Sequence, residues 1–163
     1  MKKYSLMAAL VVLSFIIQTS LFKFFNILGV VPNLSLILLV IFSLMTDEIT
    51  GGVLGLITGL MYDTMIYDVF GVYTLIYFFL GAIIGVYSDE MLRENYVAYT
   101  AVTALSTAAM HFFLYVILFF LRYRVGNVDS ILVGIIIEIV FNTVLSVFVF
   151  KIINLLFEKL NVK

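Results

Sequence analysis

The stretch Gly51–Asp68, GGVLGLITGLMYDTMIYD, decides how the rest of the chain is read. It is apolar at helical spacing, with Gly51, Gly55 and Gly59 each about one turn from the next. Small residues at every fourth position make a flat face on which a second helix packs closely inside a bilayer. The run then meets two carboxylates, Asp63 and Asp68. Carboxylates at or near membrane depth are costly, so they are kept for a structural or functional reason. The segment points to a helical membrane protein whose business is packing and assembly more than chemistry.

Composition agrees. The 163 residues are 64% hydrophobic and 12% charged, with a mean hydropathy of +1.23. A soluble domain carries about 25% charged residues. A chain this apolar has too little polar surface to cover itself in water, so it is expected to form one integral-membrane domain over residues 1–163. The net charge of −1 comes with no basic run or face, which argues against nucleic-acid binding. Without cysteine there are no disulfides, thiolate ligands or cysteine nucleophiles. No cofactor or metal set is expected.

A helix crossing the hydrocarbon core needs about 20 apolar residues. Outward from the glycine segment, the chain offers six such regions. The first is Tyr4–Phe22, too long for a signal-peptide core and followed by no small-residue cleavage site, so it reads as a retained first span. After Lys23 and Asn26, Gly29 and Pro32 break the helix. The second run, Leu34–Thr46, covers roughly 20 Å and is too short to cross alone. Either Ile27–Val31 continues it through a kink at Pro32, or it folds back as an interfacial or re-entrant piece. The third region is Gly51–Ile66 and the fourth Val72–Tyr87, which carries a second G-x-x-x-G at Gly81 and Gly85. The fifth is Val97–Leu121. The sixth is Ile131–Phe150, extending to Phe157 at the surface. The charged stretch Ser88–Asn95 and the polar turn Arg122–Ser130 separate the last three. The expected fold is an all-α polytopic bundle of six transmembrane helices.

Six crossings place both termini on one side. Lys2, Lys3, Arg93, Lys151, Lys159 and Lys163 then fall inside, against Lys23, Arg122 and Arg124 outside, which favours cytoplasmic N and C termini. There is no Trp, so Tyr4, Tyr62, Tyr67, Tyr73, Tyr87, Tyr96 and Tyr123, all near span ends, are expected to supply the interfacial belt.

The order of these features resembles the rod shape-determining protein MreD family. The matching residues are Pro32-Asn33-Leu34 opening the second segment, then G-x-x-x-G-x-x-x-G-L-x-x-D at Gly51, Gly55, Gly59, Leu60 and Asp63. Gly71 follows, then Gly81 and Gly85, and finally Glu138 and Asn142 on one face of the last helix. Leu56 stands where the family often has Phe, a conservative departure. The resemblance covers nearly the whole chain. It implies a non-enzymatic protein of the bacterial inner (cytoplasmic) membrane that partners MreC. The pair is implied to organise the RodA glycosyltransferase and its class B penicillin-binding protein, with the MreB filament involved indirectly. It also implies a fold similar to the S component of energy-coupling-factor transporters. A homodimer or higher complex is compatible with it.

Several residues carry two readings. Gly51, Gly55, Gly59, Gly81 and Gly85 serve either packing within the bundle or docking of the MreC transmembrane helix. The internal reading is preferred, because most such faces in polytopic proteins are internal. Asp63 either accepts hydrogen bonds that fix a turn, with Asp68 solvated outside, or joins Asp68 in a proton or cation site. The turn reading is preferred, since no His, Cys or further carboxylate lies nearby in sequence. Glu138 and Asn142, four apart, share a helical face. With Gln18, Asn33 and Asp63 they are candidates for a polar network, with Ser35 beside them, and Glu138 is expected to find Arg122, Arg124 or a polar residue of another helix. The alternative is the lining of a ligand cavity, which would make the protein a vitamin-binding S component. His111, the sole histidine, reads as a hydrogen-bonded packing residue, with Ser106, Thr107, Ala108 and Ala109 marking a close helix contact. Phe112, Phe113, Phe119 and Phe120 are expected to face lipid or a partner helix. An enzyme is disfavoured because the acid–base cluster it needs is missing.

Overall fold

The computed structural model describes residues 2–20, 29–65, 69–88, 95–123 and 128–160. Among these it is all-helical, with α1 (Lys2–Ser20), α2 (Leu34–Leu44), α3 (Glu48–Asp63), α4 (Val72–Val86), α5 (Tyr96–Phe120) and α6 (Val128–Lys159). Three of them, α1, α5 and α6, are long and apolar enough to cross a membrane. At 1.5 Å per residue α2 is only about 16 Å long.

The short helix sits at the centre. Its sequence, LSLILLVIFSL, is apolar nearly all round, and such a helix is stable only when surrounded. Every residue from Ser35 to Leu44 is buried, and α2 packs against all five other helices. Residues 29–33, which lead into it, are not helical, and Gly29 has φ +85°. A continuous helix kinked at Pro32 is thereby corrected: a left-handed glycine and an extended segment end any helix before α2 begins. Non-helical backbone at membrane depth is tolerated only where protein buries it, and Asn33 is buried.

A tight turn joins α2 to α3. Asp47 caps α3, its Oδ1 accepting from the Thr50 N–H at 2.8 Å and its Oδ2 from the Thr50 hydroxyl at 3.1 Å. Helices α3 and α4 then pair antiparallel at unusually close range. A Cβ placed on Gly51 would lie 2.3 Å from the Gly81 carbonyl oxygen, and one on Gly55 2.1 Å from that of Tyr77. Gly59 faces the Thr74 backbone at 2.4 Å and Gly85 faces the Asp47 carbonyl oxygen at 2.6 Å on the same measure. Backbone meets backbone along the whole seam.

Helices α5 and α6 form a second antiparallel pair, in which His111 meets Glu138, Thr107 meets Asn142 and Tyr99 meets Phe150. Their inner faces are lined by Tyr99, Thr103, Ser106, Thr107 and Met110 on one helix and Asn142, Ser146, Phe150 and Ile153 on the other, all buried. Their outer faces, including Phe112, Phe113, Phe119, Phe120, Ile136 and Val140, are exposed apolar surface. Tyr4, Tyr87, Tyr96 and Tyr123 are exposed, as an interfacial belt requires. Tyr62 and Tyr73 depart from that expectation: they turn inward, Tyr62 stacking on Tyr73 and Tyr77 while Tyr73 lies tilted against Tyr77, with centroids 5.3 to 6.2 Å apart. Tyr67 lies outside the described residues.

Candidate functional site

The polar residues of the bundle converge on the N-terminus of α2. The first N–H groups of any helix lack intrahelical acceptors, and in a bilayer no water supplies them. Here side chains do. Asn33, the N-cap, accepts from the Leu36 N–H through Oδ1 at 3.0 Å. Gln18 Oε1, from the end of α1, accepts from the Ser35 N–H at 3.2 Å. Asn142 Oδ1, from α6, accepts from the Asn33 N–H at 2.7 Å. Two other helices, α1 and α6, thus each contribute an acceptor to the start of α2, beside the one from its own N-cap Asn33.

A second ring of contacts orients these groups. The Tyr62 hydroxyl donates to Asn33 Oδ1 at 2.8 Å and accepts from the Gln18 amide. Asn33 Nδ2 donates to the Tyr77 hydroxyl at 2.8 Å and approaches Met110 Sδ at 3.7 Å. Asn142 Nδ2 donates to the Thr107 hydroxyl at 3.1 Å, which donates in turn to the Thr103 carbonyl at 2.8 Å. The Ser14 and Ser35 hydroxyls lie 3.2 Å apart. The Asn33 side chain engages Leu36, Tyr62 and Tyr77, and its backbone N–H engages Asn142. Tyr62 and Thr107 read from sequence as a belt residue and a helix-contact residue and not as members of this network, and Tyr77 was not singled out. The visible signal was Tyr73 and Tyr77, an aromatic pair four apart in an otherwise apolar helix.

The five expected network residues are therefore not one cluster. Gln18, Asn33 and Asn142 come together. Asp63 does not join them: at the end of α3 it caps α4, accepting from the Tyr73 and Thr74 N–H groups at 2.9 Å each and from the Thr74 hydroxyl. A carboxylate across a helix N-terminus is favoured by the helix dipole as well as by the hydrogen bonds. Asp63 is 2% exposed. Asp68 lies outside the described residues, as do Lys23, Arg124 and the charges at positions 89–94.

Glu138 is the other departure. Its Oε2 lies 2.8 Å from His111 Nε2. His111, one turn of α5 beyond Thr107, is thus the polar residue of another helix that Glu138 was expected to find, and it is hydrogen-bonded as read from sequence. His111 also edges an apolar groove of about 550 Å³ between α5 and α6, lined with it by Ala108, Phe112, Leu118, Leu132 and Ile135.

The glycines face inward on the α3–α4 seam. Gly51, Gly55 and Gly59 are covered by α4, and Gly81 is covered in return by Gly51. The internal packing read for these glycines is what the seam shows, with Ser43 and Leu39 of α2 also close to Gly51 and Gly81. Among the described residues no group of three His, Cys, Asp or Glu side chains comes together.

The family model described as rod shape-determining protein MreD matches residues 1–156. No curated protein and no solved structure matches the chain.

Proposed function

The chain belongs to the MreD family of rod shape-determining proteins, and from that premise we propose that it acts as a non-enzymatic subunit of the cell elongation machinery. It binds MreC within the bacterial cytoplasmic membrane and so helps organise lateral peptidoglycan synthesis by RodA and its penicillin-binding protein. In this reading all six helices insert in a bundle like that of an S component, with both termini cytoplasmic. The observation that carries the reading is the family match over residues 1–156.

The polar interior is consistent with it. Gln18, Asn33 and Asn142 are spent on capping α2, which leaves lateral helix surfaces as the means of engaging other proteins. The vitamin-capture alternative draws nothing from the network, whose members bond one another rather than line an empty chamber.

The test is affinity purification of the tagged chain from its native membrane, with mass spectrometry of what accompanies it. Recovery of MreC and elongation-specific wall enzymes supports the scaffold. Recovery of paired ATPase subunits and a transporter coupling protein overturns it in favour of solute capture.

A further inference from the structure

Helix α5 ends on a residue that does not suit its backbone. The chain closes the helix with a Schellman motif: the Arg122 N–H donates to the Phe119 carbonyl and the Tyr123 N–H to the Leu118 carbonyl, both at 3.0 Å. Such a closure needs a left-handed residue one past the cap, and glycine normally supplies it. Here the position is held by Arg122, with φ 54°, the one non-glycine residue of positive φ among the described residues. A strained conformation of this kind is a pointer to function when the residue has no structural task to justify it.

Arg122 has no such task within the chain. It is exposed, and among the described residues its guanidinium has no hydrogen bond and no ion pair. Glu138, for which Arg122 is one expected partner, pairs with His111 instead. Nor does the guanidinium cap α5. The Ile117, Leu118 and Phe119 carbonyls already accept from the Leu121, Tyr123 and Arg122 N–H groups. The helix dipole favours a cation at this end, but it asks for no left-handed residue to carry it.

The surroundings select a ligand. Phe119, Phe120 and Tyr123 stand with Arg122 around an open recess of about 480 Å³, and the two phenylalanines are 65% and 78% exposed. The depth of the recess is fixed by the helix. α5 is long and apolar enough to cross a membrane; its 25 residues make about 37 Å at 1.5 Å per residue, against a hydrocarbon core of about 30 Å. Its end therefore emerges into the headgroup layer. The abundant anion there is the lipid phosphodiester, whose oxygens match the planar fork of a guanidinium. A free phosphate gains nothing from the rings beside it, whereas a phospholipid lays its uppermost acyl methylenes on them.

We propose that Arg122, Phe119, Phe120 and Tyr123 form a binding site for an anionic phospholipid, the guanidinium holding the phosphodiester and the rings the upper acyl chains. Glycine at position 122 would close the helix with less strain and leave the recess without its cation. Backbone ease and lipid binding thus pull in opposite directions at this one residue. The site is independent of the partner contacts proposed above.

The test uses the purified full chain in a neutral detergent, with phosphatidylglycerol and phosphatidylcholine of the same acyl chains as probes. Native mass spectrometry counts bound lipid, and thermal unfolding reads the stabilisation it brings. The expected result is a preference for phosphatidylglycerol that Arg122→Gly weakens roughly tenfold, as loss of a hydrogen bond to a charged group predicts. The same variant unfolds in lipid-free detergent no lower than the parent, since glycine relieves the left-handed residue, so misfolding cannot mimic the loss. Arg122→Gln, which keeps a long polar side chain, loses the preference equally. Lys151→Gln, which removes an exposed cation from α6, keeps it. An undiminished preference in Arg122→Gly overturns the proposal, and so does an equal loss in Lys151→Gln, which reduces the effect to net charge. Inorganic phosphate protecting as well as the lipid does also overturn it, because the site is then one for a free anion. A parent chain that binds both lipids alike has no such site.

Discussion

The side chain of Asn142 accepts a 2.7 Å hydrogen bond from the backbone N–H of Asn33, 109 residues earlier in the chain. The bond ties the last helix to the first turn of the central one. It satisfies an amide that has no helical acceptor and no water to turn to. A position that reads in sequence as a polar intrusion into an apolar helix thus completes a cap shared with Gln18 of α1 and the N-cap Asn33.

Removing that acceptor has a predictable consequence. Asn142→Ala orphans the Asn33 N–H and strips Thr107 of its donor. A buried unsatisfied polar group costs about 1–3 kcal/mol. Thermal unfolding in detergent should show a loss of about 2 kcal/mol, whereas Val144→Ala, on the exposed face of the same helix, should lie within about 0.5 kcal/mol of the parent.

Two glycines on long-range contacts behave oppositely. Gly55→Ala drives a methyl to 2.1 Å from the Tyr77 carbonyl oxygen, with backbone on both sides and nothing flexible to yield. The α3–α4 seam must part, and a loss of at least about 2 kcal/mol is expected. Gly134→Ala on α6 meets only Val30 Cγ2 at 3.8 Å. It should be neutral or stabilise by up to about 1 kcal/mol, since alanine is the better helix former. Unfolding of the two variants side by side checks both signs.

These contrasts mark how far the sequence was legible. All six helices were found within a few residues, because apolar runs, charged breaks and the Gly29–Pro32 interruption are local signals. The glycine periodicity announced a close helix contact, but periodicity cannot say which helix fills it, and α4 is the one that does. The grouping of Gln18, Asn33 and Asn142 was visible as polar residues in apolar surroundings. The turn-fixing bonds of Asp63 and a polar partner on another helix for Glu138 were legible too; which group Glu138 meets was not, because it depends on antiparallel register: four residues separate Asn142 from Glu138, and that step moves the partner from Thr107 to His111. Tyr62 and Tyr73 misled for the same reason, since proximity to a span end says nothing about whether a ring turns outward.

Asp63 offers a local readout. Its carboxylate caps α4 through the Tyr73 and Thr74 amides. Asp63→Asn keeps one acceptor oxygen and should cost about 1 kcal/mol, while Asp63→Leu leaves both amides unsatisfied and should cost about 3 kcal/mol. Amide hydrogen exchange should localise the damage to the first turn of α4, with the α5–α6 pair retaining its protection. Equal loss of protection in both pairs would show that the carboxylate does more than cap.

Tyr62 and Tyr77 look equivalent, as two tyrosines that both bond Asn33, yet their hydroxyls carry different burdens. Tyr62 accepts from Gln18 and donates to Asn33 Oδ1, linking α1, α3 and the α2 cap. Tyr77 only accepts from Asn33 Nδ2, which retains Met110 Sδ at 3.7 Å as a weak alternative. Replacing each by Phe keeps the stacked rings and removes one hydroxyl. Tyr62→Phe should destabilise by about 2 kcal/mol and Tyr77→Phe by about 1 kcal/mol, each bond being worth about 1 kcal/mol. The double variant should cost less than the two singles together, because both hydroxyls hold the same asparagine and residues that share a partner are not additive. A double-mutant cycle in detergent reads that coupling directly. Strict additivity would mean that Asn33 is positioned by its backbone and by Asn142, with the tyrosines as passengers.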